Sequence, residues 1–239
     1  FGRMVGDRDH GRSLLATMSV LFVISLGLAL YTEWVAHPAL SLTGALEGKE
    51  LRFGLVGSIL WIMATTASSN GSVNTMLSSL SPLTGGLALL NIMLGEVVFG
   101  GVGSGLYGIV VFAIIAVFIA GLMVGRTPEY LGKRIEAREI KFAMIAVLAP
   151  CFCILLGSAV AANTSWGISS VSHSGPHGLS EIVYAYSSAA GNNGSAFAGL
   201  HANTPFYNLT LALAMLIGRY AIIIPVLGIA GSLASKNVT

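Results

Sequence analysis

The sequence predicts an all-α membrane protein made of parallel tandem repeats, each running span, short half-buried helix, polar turn, span, with the second span of the first repeat broken at glycines. Three observations predict it. The 239 residues are 54% hydrophobic and only 9% charged, with a mean hydropathy of +0.81, which excludes an ordinary soluble domain. The triplet Asn-Gly-Ser occurs at Asn70-Gly71-Ser72 and again at Asn193-Gly194-Ser195, 193 − 70 = 123 residues later, each time closing an apolar segment rich in Ser, Thr and Ala. At the same offset Ser81-Pro82-Leu83 answers Thr204-Pro205-Phe206, and Leu94-Gly95-Glu96 answers Ile217-Gly218-Arg219. Finally, residues 83 to 124 are nearly all apolar. As one helix this stretch would run about 63 Å, roughly twice the hydrocarbon thickness of a bilayer, so it must break. Gly100, Gly101, Gly103, Gly105 and Gly108 mark the break, because glycine weakens a helix and accepts backbone angles that other residues avoid.

The elements follow in order. Spans of about 20 apolar residues fall at 13–36, 104–124, 140–162 and 205–232. Between them lie short helices at about 51–66 and 179–188, followed by polar turns at 67–73 and 189–197. The chain therefore divides into an N-terminal segment (1–12), a first repeat (13–125), a loop (126–139), a second repeat (140–232) and a tail (233–239). Arg3, Arg8 and Arg12, the loop cations Arg126, Lys133, Arg134, Arg138 and Lys141, and Lys236 all fall on one side if each repeat crosses twice. The positive-inside rule makes that side cytoplasmic, so the polar turns are approached from outside. Two spans per repeat return the chain to its starting side, as in pores with an axis along the membrane normal rather than in inverted-repeat transporters.

Non-helical backbone at membrane depth survives only where it is buried in protein or lines water. Thr65, Thr66, Ser68, Ser69 and Asn70 before Gly71, and Gly191, Asn192 and Asn193 before Gly194, offer neutral carbonyl and side-chain oxygens but no carboxylate. Such a set suits a large, weakly hydrated monovalent cation better than Mg²⁺ or Ca²⁺. Helices ending at Thr66 and Ser188 would turn the negative ends of their dipoles towards that ion. Competing readings of the same residues are weaker. Both Asn-Gly-Ser triplets, like the sites at Asn163, Asn208 and Asn237, are formal glycosylation sequons, which arise often by chance. Gly103-Ser104-Gly105-Leu106-Tyr107-Gly108 spells a dinucleotide-binding pattern without the βαβ unit that pattern requires. Cys151 and Cys153 sit within a span, with the spacing of neither a disulfide framework nor a zinc knuckle. A net charge of +2 gives no basis for a nucleic-acid partner.

Longer strings carry a resemblance. They are Gly6-Asp7-Arg8, Glu47-Gly48-Lys49-Glu50 with Arg52-Phe53-Gly54, the run from Gly95 and Glu96 through Gly108, Gly125 to Lys133, Gly175-Pro176-His177-Gly178, and Asn192 through Leu200. With these the chain resembles the A subunit family of the Kdp potassium-transporting ATPase, within the Trk/Ktr/HKT superfamily. The resemblance implies four such repeats around one pore, K⁺ bound by filter-turn carbonyls, and this chain as a C-terminal portion matching the third and fourth repeats, without the family's last helix. An opening at Phe1 fits a portion. The filter residues implied are Thr66, Ser68, Ser69, Asn70, Gly71, Gly191, Asn192, Asn193 and Gly194. Asn70 stands where some relatives have Cys, and Gly191 where Asn is usual. The glycine break would be the intramembrane loop that obstructs the path below the filter.

The expected function is to bind and admit K⁺ from outside within an ATP-driven pump of a bacterial or archaeal cytoplasmic membrane. K⁺ is then the transported ion, with no organic cofactor. Partners implied are a P-type ATPase catalytic subunit, small accessory membrane subunits and membrane lipid. The chain itself carries no ATPase machinery: its aspartates are Asp7 and Asp9, neither followed by Lys-Thr-Gly-Thr, and no P-loop is present. A free-standing K⁺ channel or permease and a non-transporting membrane scaffold remain as alternatives. Glu96 and Arg219 occupy matched positions (219 − 96 = 123) and are expected to face the water path below the filter, because a charge in mid-membrane requires a cavity and a partner. Arg126 is grouped with them as a control of charge.

Overall fold

A computed structural model describes residues 1–36, 46–94, 97–101 and 103–236. The described chain is mostly helical: α1 Gly2–Val5, α2 Arg8–Ala36, α3 Gly54–Ala67, α4 Pro82–Met93, α5 Ser104–Val124, α6 Ala137–Asn163, α7 Ser165–Ile168, α8 Pro176–Ala190 and α9 Pro205–Ala234. Four of them, α2, α5, α6 and α9, are long and apolar enough to cross a membrane. Their outward faces carry exposed Val20, Val23, Ile24, Phe152, Leu155, Leu209 and Leu227, as helices facing lipid require.

Local chemistry sets the boundaries. Ser81 and Thr204 cap α4 and α9, each hydroxyl accepting a backbone N–H three residues on, at 3.4 and 3.3 Å, with proline at the first helical position. α6 opens with a capping box between Glu136 and Glu139. The first short helix starts at Gly54, three residues later than the sequence suggests, because Glu50 binds the Arg52 backbone N–H and guanidinium and holds a turn ahead of it. The second starts at Pro176, three residues earlier, since proline is preorganised for a first turn.

Within the long apolar stretch, helix stops at Met93 and resumes at Ser104. Phe99, Gly100 and Gly103 in between have positive φ (61°, 61° and 85°). Gly105 lies in the first turn of α5, where its role is close approach: a Cβ there would sit 2.0 Å from the Phe99 carbonyl oxygen. Gly108 is helical, and Glu96 lies outside the described residues. The loop after α5 adds a small element to the all-helical expectation. Strands β1 (Glu129–Tyr130) and β2 (Lys133–Arg134) pair antiparallel around Leu131 and Gly132, both with positive φ (52° and 71°), as a tight two-residue hairpin requires.

Two opposite ends emerge. At one, His10 Nε2 meets the Tyr130 hydroxyl at 2.8 Å, Lys133 donates to the Lys236 carbonyl at 3.1 Å, and Lys236 pairs with Glu139 at 2.9 Å and Glu136 at 3.3 Å. Burial lowers the Lys236 pKa and the two carboxylates raise it, the second effect winning. At the other end Glu33 of α2, wholly buried, pairs with buried Lys49 at 3.2 Å and accepts the Ser81 N–H at 2.6 Å. A carboxylate at the start of α4 also meets the positive end of that helix. Breaking this pair should be costly, because the partner left behind keeps a buried, uncompensated charge. Lys49→Met is expected to destabilise by about 3–5 kcal/mol and Lys49→Met with Glu33→Gln by clearly less. Thermal unfolding of the full-length subunit in its assembly measures both.

Candidate cation-binding turns

α3 and α8 end in the same way, residue for residue at the 123 offset. Ser68 and Gly191 are the C-caps, with φ of −89° and −77°. Ser69 and Asn192 follow in the left-handed region, at φ 54° and 52°. The Asn70 N–H then bonds the Thr65 carbonyl and the Asn193 N–H the Ser188 carbonyl, both at 2.9 Å. Asn70 Oδ1 accepts the Ser72 N–H at 3.1 Å and Asn193 Oδ1 the Ser195 N–H at 2.9 Å. Each returning segment is tied to its helix by an aromatic side chain at matched positions. Trp61 Nε1 donates to the Ser72 carbonyl at 3.2 Å, and the Tyr184 hydroxyl lies 2.8 Å from Ser195 Oγ.

The turns also touch one another. Ser69 Oγ donates to the Gly191 carbonyl at 3.1 Å, and Asn193 Nδ2 to the Thr65 carbonyl at 3.5 Å. A Cβ on Gly71 would fall 2.6 Å from the Asn193 carbonyl oxygen. Both helices thus bring the negative ends of their dipoles to one place. Side-chain donors are directed at nearby backbone: Thr66 Oγ1 at the Ile62 carbonyl (2.7 Å), Ser68 Oγ at the Ala64 carbonyl (2.7 Å), and the Asn192 amide Nδ2 at the Met215 carbonyl (3.2 Å). Backbone carbonyls are what such turns have to offer an ion.

The two glycines are required for different reasons. Gly194 has φ 96°, where a side chain is strained. Gly71 is not in that region, and only its closeness to the other turn demands glycine.

Beneath the second turn lies a cavity of about 110 Å³ bounded by Leu94, Ser104, Ser187, Asn192 and Arg219. Gly218 lets α9 approach it, since a Cβ there would sit 1.9 Å from the Ala190 carbonyl. Arg219 therefore borders the space between the second turn and the start of α5. Arg126 does not join it: it lies exposed just past the other end of α5, about 30 Å away along a helix of that length. Gly100, Gly101 and Gly103 lie in the connection that ends where Ser104 meets the cavity. Neither Trp61 nor Tyr184 was evident from the sequence alone, although 184 − 61 = 123 was the available signal.

The whole of this chain, residues 1–239, matches the family model described as potassium-transporting ATPase A subunit. The chain belongs to that family. It is 55% identical over 250 residues to the potassium-transporting ATPase potassium-binding subunit of Sorangium cellulosum, covering 100% of this chain and 43% of that protein. Identity to the proteins of the same name from Rhodospirillum centenum and Pseudomonas aeruginosa is 58% over 243 and 54% over 244 residues, covering 99% and 100% of this chain and 42% and 43% of theirs. The chain thus spans about two fifths of the length of these A-subunit relatives.

Substitution separates the two glycine requirements. Gly194→Ala is expected to weaken cation affinity by about 5–30-fold, from 1–2 kcal/mol of backbone strain. Gly71→Ala should do so by pushing the turns apart, at about 1–3 kcal/mol. Because the sites touch, the double change should depart from additivity. K⁺ and Rb⁺ titrations of transport by the full-length subunit read these effects, and unchanged affinity and ion preference in both variants would show that neither residue shapes the site.

Proposed function

We propose that this chain is half of a K⁺-selective pore, in which matched turns of two parallel repeats present backbone carbonyls to K⁺ entering from outside, within an ATP-driven uptake pump. The observation that carries the reading is the contact between two turns that match from the helix cap to the asparagine, each ending a short helix and offering only neutral oxygens. Neutral carbonyls replace the hydration shell of K⁺ at little cost, whereas smaller or divalent ions hold their water too firmly. Names of the relatives support the choice of ion.

In this reading residues 13–125 and 140–232 are the two repeats, and 1–12, 126–139 and 233–239 face the cytoplasm. The connection from Gly100 to Gly103 is the break in the second span, and it obstructs the path beneath the turns. Arg219, bordering the cavity below the second turn, repels cations that would otherwise dwell there, and Glu96 offsets its field. ATP hydrolysis takes place in a P-type partner, with small accessory membrane subunits and lipid completing the assembly in a prokaryotic inner membrane.

The test uses the full-length subunit with and without its ATPase partner. K⁺ uptake should require ATP and the partner, and shortening the Gly100–Gly103 connection should raise ATP-independent K⁺ leak several-fold. Uptake that persists without ATP or partner would favour a free-standing channel. Loss of K⁺ binding from neither Gly194→Asp nor Asn193→Ala would favour a scaffold.

A further inference from the structure

At the start of α8, away from the turn, three ligating side chains converge. His173 precedes the helix, and His177 and Glu181 lie one turn apart on it. His173 Nδ1 is 2.6 Å and His177 Nε2 3.6 Å from Glu181 Oε1, and the three ligand atoms lie within 4.8 Å of one another. The imidazoles are about half exposed (52% and 40%), while the Glu181 side chain is wholly buried. Its second oxygen, Oε2, has no hydrogen bond among the described residues. A carboxylate buried without filling its acceptor capacity is costly unless something else supplies the charge.

The surroundings keep the space open. Gly199, on the segment returning from the second turn, lies directly against the cluster. A Cβ there would fall 1.9 Å from Glu181 Oε1 and 2.8 Å from His173 Nδ1. Ser172 N–H bonds the Gly199 carbonyl at 3.0 Å and Val171 pairs with Leu200, which fixes that segment beside the histidines.

We propose that His173, His177 and Glu181 form a site for a divalent transition-metal ion of the Zn²⁺ class. Two imidazole nitrogens and one carboxylate oxygen form a borderline donor set that suits Zn²⁺, whereas Ca²⁺ and Mg²⁺ take oxygen ligands. Metal–ligand bonds of about 2.0–2.2 Å hold tetrahedral ligand atoms about 3.3–3.6 Å apart, which the present spacings reach by small rotations of the half-exposed rings. Water completes the fourth position from the exposed side. The metal also supplies the positive charge that the buried carboxylate calls for.

The site is linked to the second turn by rings in edge-to-face contact. His177 meets Phe197 edge-on at 5.7 Å, Phe197 meets Tyr184 at 4.8 Å, and Tyr184 contacts Ser195, which bonds Asn193. Metal occupancy therefore biases the conformation of that turn. This coupling rests on the proposed function, and metal binding itself does not.

The experiment titrates the full-length subunit, in its assembled complex and stripped with chelator, with Zn²⁺ and with Co²⁺. The site predicts one more tightly held metal per complex in the wild type than in His177→Gln, and a tetrahedral Co²⁺ absorption band that the variant loses. Affinity at that site should fall by at least about tenfold in His173→Gln or His177→Gln. Each imidazole is about half exposed and glutamine keeps a polar group beside Glu181, and an unchanged elution profile of the complex verifies that the variants keep the fold. Equal stoichiometry and affinity in wild type and both variants would overturn the site. Zn²⁺ binding that leaves apparent K⁺ affinity unchanged would overturn the coupling, and K⁺ titration without metal tests the pore reading separately.

Discussion

Everything else in this structure is arranged around the approach of two backbone turns to within contact. A Cβ at Gly71 would sit 2.6 Å from the Asn193 carbonyl, and the Ser69 hydroxyl and Asn193 amide each reach across to the opposite turn. Polar backbone can lie at membrane depth only if its groups are satisfied or face water. The Asn70, Ser72, Asn193, Gly194 and Ser195 amides each find an acceptor within their own turn. What remains are carbonyl oxygens, concentrated where two helix dipoles also end negative. A cation is the natural complement of such a place.

The packing serves that approach. Ile59, Ile62 and Met63 of α3 share one apolar core with Ala88 and Ile92 of α4, and Tyr184 and Phe197 from the second half enter the same core. The first turn is thus braced from both sides. On the second half, Tyr186 and Tyr207 pack with Ala161, Ile182 and Ala214, and Gly157 admits the Tyr186 ring against α6. A third cluster, of Val111, Ile114, Ile135, Ala143 and Ile229, ties α5, the hairpin, α6 and α9 together at the far end. Two ion pairs with a buried carboxylate lie near helix ends, where Glu33 with Lys49, and Glu139 with Lys236, hold elements together.

How far the sequence could be read depended on which physical signal each feature carries. The four long helices were legible because crossing a bilayer requires length and hydropathy that little else produces, and α5 matches the predicted residues 104–124. The turns were legible because a feature written twice identifies its own register: the positive φ at Ser69 recurs at Asn192. The start of α3 was not, since the Glu50–Arg52 clamp that delays it is a side-chain effect with no periodic signature. Close approach was also hidden. Gly71 and Gly194 look alike in sequence, yet one is needed for space and the other for its backbone angle. The cluster of His173, His177 and Glu181 had a signal in its spacing of four and four, but whether His173 turns towards the helix depends on the loop fold.

In the proposed function, K⁺ is held by carbonyls of the two matched turns. The most direct measurement of this is the density of a heavy K⁺ analogue, Tl⁺ or Rb⁺, in a structure of the full-length subunit within its complex. A peak is expected between the turns, within coordination distance of backbone oxygens of residues 66–71 and 189–194 and lost in Gly194→Asp. A well-ordered structure with Tl⁺ bound elsewhere and no peak at these turns would contradict it.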